Sequence, residues 1–129
     1  MKRDITMIQR NRANRETLWQ HSGEAAETKT ARGRRISMQC ADRSVTLYLY
    51  EQAAVLESIS SLSVTMMFRA GHKTRAHAGS EIGTVPLEIY THSLEQEDGR
   101  VRIVYDVLTM GSVCESFELE VRENQHESD

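Results

Sequence analysis

The chain has 129 residues, of which 39% are hydrophobic, 27% charged and only 5% aromatic. These proportions are typical of a folded globular domain and exclude a chain that is disordered throughout. No apolar run approaches the roughly 20 residues of a transmembrane helix, and no apolar signal-peptide core follows the basic N-terminus. We therefore expect one cytoplasmic domain over 1–129, with frayed ends at about 1–3 and 124–129.

The first half of the chain is a series of short segments in which apolar and polar residues alternate. A period of two places the apolar side chains on one face of a β-strand. A polar turn at 41–44 separates two of the clearest segments. The candidate strands are one that begins at Ile5, the segment 16–23, a candidate edge strand at 24–30, Ile36–Cys40 and Val45–Leu49.

The segment from Gln52 to Ser61 has no clear period, so a short helix, a strand and an ordered loop all stay open there. Alternation then resumes and continues almost to the end of the chain. The later candidate strands are Leu62–Phe68, Val85–Ile89, Val101–Val107 and Phe117–Val121.

The connections between these segments are short and contain Gly and Asp, which favours antiparallel neighbours. Parallel neighbours would need crossover segments of about a dozen residues. An antiparallel sheet of this length exposes its edges unless it closes on itself. The sequence therefore predicts an all-β protein, an antiparallel up-and-down β-barrel of about eight strands, with a β-sandwich as the alternative.

Charge is distributed unevenly along the chain. Residues 1–43 contain ten Lys or Arg and five Asp or Glu, whereas residues 44–129 contain six and fourteen. In a closed barrel the first strands lie beside the last, so this gradient predicts cross-strand ion pairs. The basic region lacks interleaved aromatic residues, which argues against nucleic-acid binding.

Three segments of the second half occur in the order and with the spacing of a known family: Phe68–Gly71, Ile82–Thr91 and Gly99–Val107. Over about residues 62–123 the chain resembles the YwiB-like family of bacterial proteins. The resemblance implies a calycin-like (lipocalin-type) β-barrel. It leaves open a barrel that is one strand short or incompletely closed, and it supplies no catalytic or binding residues. The Gly-x-Trp motif of lipocalins is absent at Trp19.

A barrel of about eight strands either holds one small ligand or is filled by its own side chains. Alternation places four large side chains on the inner side of the sheet, and we predict that they line a lumen for a small apolar or amphipathic ligand. A plain hydrophobic core is the alternative. The four candidates are Met66, Phe68, Tyr105 and Phe117, with the Tyr105 hydroxyl as a polar anchor.

A polar cluster lies in the segment 71–83. If this segment is extended, Lys73, Arg75 and His77 share one face, and we predict that they contact an anionic group. A solvated loop is the alternative. No carboxylate, cysteine or serine is placed to form a base–nucleophile pair with a histidine, so we predict no catalytic residues.

We predict no metal site and no cofactor, since no ligand spacing for either is visible. Cys40 and Cys114 are expected to be reduced and partly buried, with a disulfide as the alternative. Glu118 and Glu120 are expected on the wet face of their strand. The surface histidines are expected to be His21, His92 and His126.

These patterns favour a protein that binds a small apolar or amphipathic ligand rather than one that transforms it. The alternative is a protein-interaction or self-association module, including a homodimer through exposed strands. Uncovered strand edges and the tyrosines at 48, 50 and 90 motivate that alternative. We expect no membrane partner.

Overall fold

The computed structural model describes residues 2–40 and 42–124, which form an all-β structure. Val, Ile and Leu dominate the inner faces, as is typical of strands that pack on one side. The strands are β1 (Lys2–Asn11), β2 (Thr17–Lys29), β3 (Arg34–Gln39), β4 (Ser44–Leu49), β5 (Ala53–Ile59), β6 (Ser63–Arg69), β7 (Lys73–Ser80), β8 (Gly83–Glu97), β9 (Arg100–Thr109) and β10 (Ser112–Glu123).

The sheet is a closed antiparallel barrel in which each strand pairs with the next along the chain. The closing pair joins β1 to β10, from Ile5 opposite Glu123 to Asn11 opposite Phe117. The predicted all-β antiparallel barrel is confirmed. The barrel is closed, so neither the sandwich nor the incompletely closed barrel forms.

The described residues form ten strands rather than about eight, for two reasons. The ambiguous segment around 52–61 forms β5, in which Ala54 and Leu56 point inward. The polar segment after Gly71 forms β7. Its sequence showed no clear strand pattern because its inward apolar residues are only the small Ala76 and Ala78. The proposed edge strand at 24–30 is the second half of β2.

The centre of the barrel is filled with apolar side chains. Ile103 and Leu119, which lie opposite each other on β9 and β10, are both 0% exposed. The rings of Phe68 and Tyr105 meet edge to face at 4.8 Å. Tyr105 also lies 5.6 Å from Phe117 between ring centres. The alternation of the sequence therefore places the apolar side chains inward, as predicted.

The two ends of the barrel differ, and we call the end with the chain termini the base and the opposite end the mouth. At the base, Arg3 lies 2.7 Å from Glu27 and 2.6 Å from Glu123. Arg34 lies 3.1 Å from the second oxygen of Glu27.

Lys2 and Arg3, expected to fray, belong to β1, because the β1–β2 ladder holds both residues and the ion pairs hold Arg3. The expectations for Met1, for 125–129 and for His126 fall outside the described residues.

Glu118 and Glu120 point to the outer face, yet each is only 5% exposed. The expectation that they lie on a wet face is wrong, because long arginine side chains from neighbouring strands cover them. We call this group the arginine–glutamate network. Its members are Glu118, Glu120, Arg10, Arg15, Arg100, Arg102 and Arg122.

The network contains the predicted ion pairs between early basic and late acidic residues. Arg10 on β1 lies 3.7 Å from Glu120 on β10. Arg15, in the turn after β1, lies 4.0 Å from Glu118. The charge gradient of the sequence therefore corresponds to the closing seam of the barrel, and the predicted cross-strand pairing is confirmed.

Candidate ligand-binding groove at the mouth

The β7–β8 hairpin projects past the end of β9. Strand β8 pairs with β7 from its first residue, Gly83, but pairs with β9 only from Glu88 onward. Among the described residues, the segment Gly83–Leu87 therefore has no ladder partner on its β9 side. The two strands diverge there and leave a cleft between the hairpin and the β9–β10 turn.

This cleft has a volume of about 530 Å³. We call it the mouth groove. Small-molecule sites typically have volumes of about 300–1,000 Å³, so a compact ligand fits. The described clefts elsewhere include two of only about 20 Å³ each, at the base and beside Arg102. The residues that line the mouth groove are Arg75, Ala76, His77, Pro86, Leu87, Glu88, Leu108, Thr109 and Met110.

The lining of the mouth groove combines apolar surface with charge. Leu87, Leu108 and Met110 form much of the apolar wall. Arg75 and His77 supply a guanidinium and an imidazole from β7, and Glu88 lies opposite Arg75 in the β7–β8 register. The groove thus holds one fixed cation, one carboxylate and one imidazole beside an apolar surface. Such a mixture suits a molecule with a polar head and an apolar body.

The structure separates the three predicted anion contacts. Lys73, Arg75 and His77 are all exposed on the outer face of β7, so the prediction that they share a face is confirmed. Arg75 and His77 line the mouth groove, whereas Lys73 is not part of its lining. An anion in the groove would therefore meet two of the three groups.

The four predicted lumen residues lie together inside the barrel. Phe68 and Tyr105 are fully buried, and Met66 and Phe117 pack against the same core while partly exposed. None of them lines the mouth groove. Their role in ligand binding stays a prediction, and their packing against one another is typical of a core.

Tyr105 is tied into a short polar chain within this core. Burial raises the pKa of Tyr105 far above its usual value, and a hydrogen bond with the Gln9 side chain only partly opposes this rise. The Trp19 indole nitrogen donates to the Gln9 side-chain oxygen at 2.8 Å. The Tyr105 hydroxyl therefore stays protonated, with Gln9 as its partner. Opposite Tyr105 on β8, the fully buried Thr91 hydroxyl has no hydrogen-bond partner among the described residues.

Sequence reasoning missed a cluster on the outer face of β8, β9 and β10. His92 Nε2 lies 2.7 Å from Asp106, and the Ser116 hydroxyl donates to the other Asp106 oxygen at 2.6 Å. Burial raises the pKa of Asp106, but the hydrogen bonds from Ser116 and His92 outweigh it and leave the pKa below its ordinary value. Because Ser116 bonds to the carboxylate rather than to the imidazole, no base–nucleophile pair forms.

A bulge between Thr91 and Ser93 positions His92. The expectation that His92 lies at the surface is right, because the residue is exposed. The sequence contained one signal for the bulge. Apolar residues occupy odd positions up to Ile89 and an even position at Leu94, and such a change of parity indicates one extra residue in a strand.

The cysteines do not form a disulfide with each other. Cys40 is buried and free, and burial raises the pKa of its thiol. Cys114 is free and exposed rather than partly buried, because it falls at the irregularity of β10 where the register shifts past Val113. Within residues 2–40 and 42–124 no group of three or more His, Cys, Asp or Glu could hold a metal ion.

The fold is similar to that of a solved structure. The crystal structure of the ywiB protein from Bacillus subtilis superimposes with a TM-score of 0.67, over 96% of this chain and 94% of that one. The two sequences are only 14% identical, so the similarity shows the fold alone. No family model matches the sequence, and no curated protein matches it.

Large apolar side chains are exposed mainly at the mouth. Of the nine large hydrophobic residues that are exposed in the described part of the chain, seven lie on turns or strand ends of the mouth, and Ile82 and Met110 are each 98% exposed. Met110 also has a positive φ of 52° in the β9–β10 turn, a conformation that favours Gly or Asn. The described residues include no helix of a length and hydropathy that would cross a membrane.

Proposed function

We propose that this protein binds a small amphipathic molecule with an anionic head group in the mouth groove. The observation that carries the proposal is the lining of the groove, in which Arg75 and His77 border an apolar wall around about 530 Å³. The apolar body of the ligand packs against Leu87 and Leu108, and its head group pairs with the Arg75 guanidinium.

The placement of charge supports a single anionic head group. Glu88 offsets part of the positive charge, so a multiply charged anion gains little over a single carboxylate or sulfonate. The apolar wall supplies affinity in proportion to the ligand surface that it removes from water. Ligands without an apolar body therefore bind weakly.

We propose further that the chain is a member of the YwiB-like family and that its barrel is calycin-like. The order of the three segments around Phe68–Gly71, Ile82–Thr91 and Gly99–Val107 supports this membership. The shared fold with the Bacillus subtilis ywiB protein is consistent with it. A location in the cytoplasm remains a prediction of the sequence.

The test is a calorimetric titration with sodium decanoate, below the concentration at which it forms micelles. Decanol, which has the same chain without the charge, is the matched ligand. We expect decanoate to bind about tenfold more tightly than decanol, since a charge-assisted hydrogen bond contributes about 1.5–3 kcal/mol before solvent screening.

Arg75→Gln should weaken decanoate binding about tenfold and leave decanol binding unchanged. Lys73→Gln is the control, because Lys73 shares the outer face of β7 but lies outside the groove. It should change affinity by less than about twofold. Amide NMR shifts on binding should centre on Leu87 and Leu108.

Three results count against the proposal. One is the absence of saturable decanoate binding. Another is an equal loss of affinity in Arg75→Gln and Lys73→Gln. A third is a set of shifts centred on Phe68 and Tyr105, which would move the ligand from the mouth groove to the predicted lumen.

A further inference from the structure

In the part of the chain that the structure describes, the barrel has two uncovered strand edges. The first is the segment Gly83–Leu87 of β8 beside the mouth groove, and the second lies on β2, away from that groove. On one side β2 pairs with β1 along the segment that begins at Thr17. On the other side it pairs with β3 only from Ala25, opposite Met38, onward, because β3 ends at Gln39. Among the described residues, the segment Thr17–Glu24 therefore has no ladder partner on its β3 side.

The two uncovered edges of the barrel are protected differently. The free segment of β8 contains Pro86, and a proline blocks strand addition where its missing N–H faces outward. The free segment of β2 contains no proline and no lysine, and the residues from Thr17 to Gly23 have no formal charge with His21 neutral. Natural proteins protect edges with such residues, so an unprotected edge of this length is suited to pairing.

The side chains along this edge do not obstruct an approaching strand. Leu18 is 53% exposed and Gln20 is exposed, both on the outer face. Among the described residues outside its chain neighbours, the one heavy atom within 4 Å of a Cβ added at Gly23 would be in the His21 ring, at 3.9 Å. The inner face of the edge is therefore open at the height of Gly23.

We propose that two copies of this chain pair through this edge, antiparallel about a two-fold axis at Gln20. In an antiparallel pair, directly opposite side chains lie on the same face of the sheet. A two-fold axis normal to the sheet leaves each residue on its own face, so the residue at the axis must lie opposite its own copy rather than opposite its sequence neighbour. With the axis at Gln20, Leu18 of one copy faces Ser22 of the other, and Trp19 faces His21.

Charge supports a second copy as the occupant. No like charges lie opposite each other along the seven paired residues, a condition that antiparallel pairs require. At each end Glu16 of one copy faces Glu24 of the other, and the Lys2 ammonium, 3.0 Å from the Glu24 carboxylate, offsets this repulsion. The uncharged stretch between the two ends is thus compatible with a second copy of itself. Strands β1, β10 and β9 separate this edge from the mouth groove, so the pairing is independent of ligand binding.

The experiment is a charge exchange at the axis, measured by sedimentation across a concentration series. Gln20→Lys places two ammonium groups directly opposite each other, and Gln20→Glu places two carboxylates there. We expect each variant alone to dimerise about fivefold or more weakly than the wild type. An equimolar mixture should recover wild-type affinity as a heterodimer.

The control is Val85→Lys, which adds the same charge to the free segment of β8, where the side chain is 59% exposed. It should leave dimerisation unchanged. Because Gln20 is exposed, neither substitution there should alter the unfolding transition measured at a concentration at which all the proteins are monomeric, and a shift of that transition would reveal misfolding.

A wild type that stays monomeric at all concentrations overturns the proposal, as does dimerisation that neither Gln20 variant weakens. Hydrogen exchange supplies an independent reading. Alternate amides of Thr17–Gly23 should become protected as protein concentration rises. Protection that occurs only when an extended peptide is added would assign the edge to a different partner and contradict the second copy.

Discussion

Two sectors of the barrel differ in how completely they are paired. The paired sector consists of β9, β10 and β1, whose ladders run along nearly their whole length beneath the arginine–glutamate network. The open sector consists of β7 and the first part of β8, where β7 pairs with β6 only between Ser63 and Met66. The paired sector contains large buried residues, whereas in the open sector β7 contributes small inward residues, Ala76 and Ala78, and a groove is present.

This difference separates stability from binding. Local stability follows buried apolar contacts and continuous backbone hydrogen bonding, both of which are concentrated in the paired sector. A groove requires the opposite, because strands that pair fully leave no cleft between them. Substitutions in the paired sector should therefore change the free energy of unfolding, and substitutions in the open sector should change affinity.

The largest expected effect is that of Leu119→Ala. Leu119 is 0% exposed in the paired sector, so its truncation removes buried surface and leaves a cavity. The free energy of unfolding should fall by about 3 kcal/mol. Val85→Ala in the open sector also shortens an apolar side chain, but at an exposed position. It should change the free energy of unfolding by less than about 0.5 kcal/mol. Chemical denaturation measures both, and similar losses would show that the two sectors share one stability.

The second effect tests the arginine–glutamate network. The Arg102 guanidinium, which donates to both oxygens of Glu118 at 2.9 and 3.3 Å, lowers the pKa of Glu118 despite partial burial. Glu118→Gln should lower the free energy of unfolding by about 2 kcal/mol at neutral pH. Glu88→Gln, in the open sector, should change it by less than about 0.5 kcal/mol.

Glu118→Gln and the wild type should also differ in how strongly acid destabilises them. Because the folded-state pKa of Glu118 lies below its unfolded value, its stabilisation is complete above the unfolded pKa. It is lost as pH falls through the folded pKa. Glu118→Gln has no such stabilisation to lose, so its stability should fall less on acidification than that of the wild type. A parallel fall in both proteins would show that the network is not coupled to protonation of Glu118.

The paired sector was also easier to predict from the sequence. Val101, Ile103 and Leu119 alternate with polar residues, and a period of two is sufficient to orient a strand. The burial of Glu118 could not be predicted, because it depends on arginines from β9, β1 and the β1–β2 turn. Such coverage is a property of the register between distant strands, which a single strand pattern does not contain.

The open sector was harder to predict for a different reason. The sequence pattern placed Arg75 and His77 on one face. The groove beside them arises because β8 extends further toward the mouth than β9 does, so that the first residues of β8 have no partner on β9. That mismatch of strand ends depends on where each turn falls. The cluster around His92 and Asp106 likewise required the bulge in β8.

The smallest expected effect sharpens the comparison most, because stability and binding should move in opposite directions. Met110 occupies a left-handed position with φ of 52°, and its neighbour Gly111 has φ of 81°. Two successive positive φ values define a turn that favours Asn-Gly, so Met110→Asn should raise the free energy of unfolding by about 0.5–1 kcal/mol. Since Met110 forms part of the groove wall, the same variant should weaken decanoate binding several-fold.

Gly111→Ala is the matched control for the backbone term. Apart from its chain neighbours, no described residue has a heavy atom within 4 Å of a Cβ added at Gly111, so its substitution changes backbone strain without a steric contact. It should lower the free energy of unfolding by about 1 kcal/mol. If Met110→Asn also lowered it, the side chain would contribute to stability and the open sector would not be specialised for binding. If Met110→Asn raised stability and left decanoate affinity unchanged, the β9–β10 turn would not form a wall of the site.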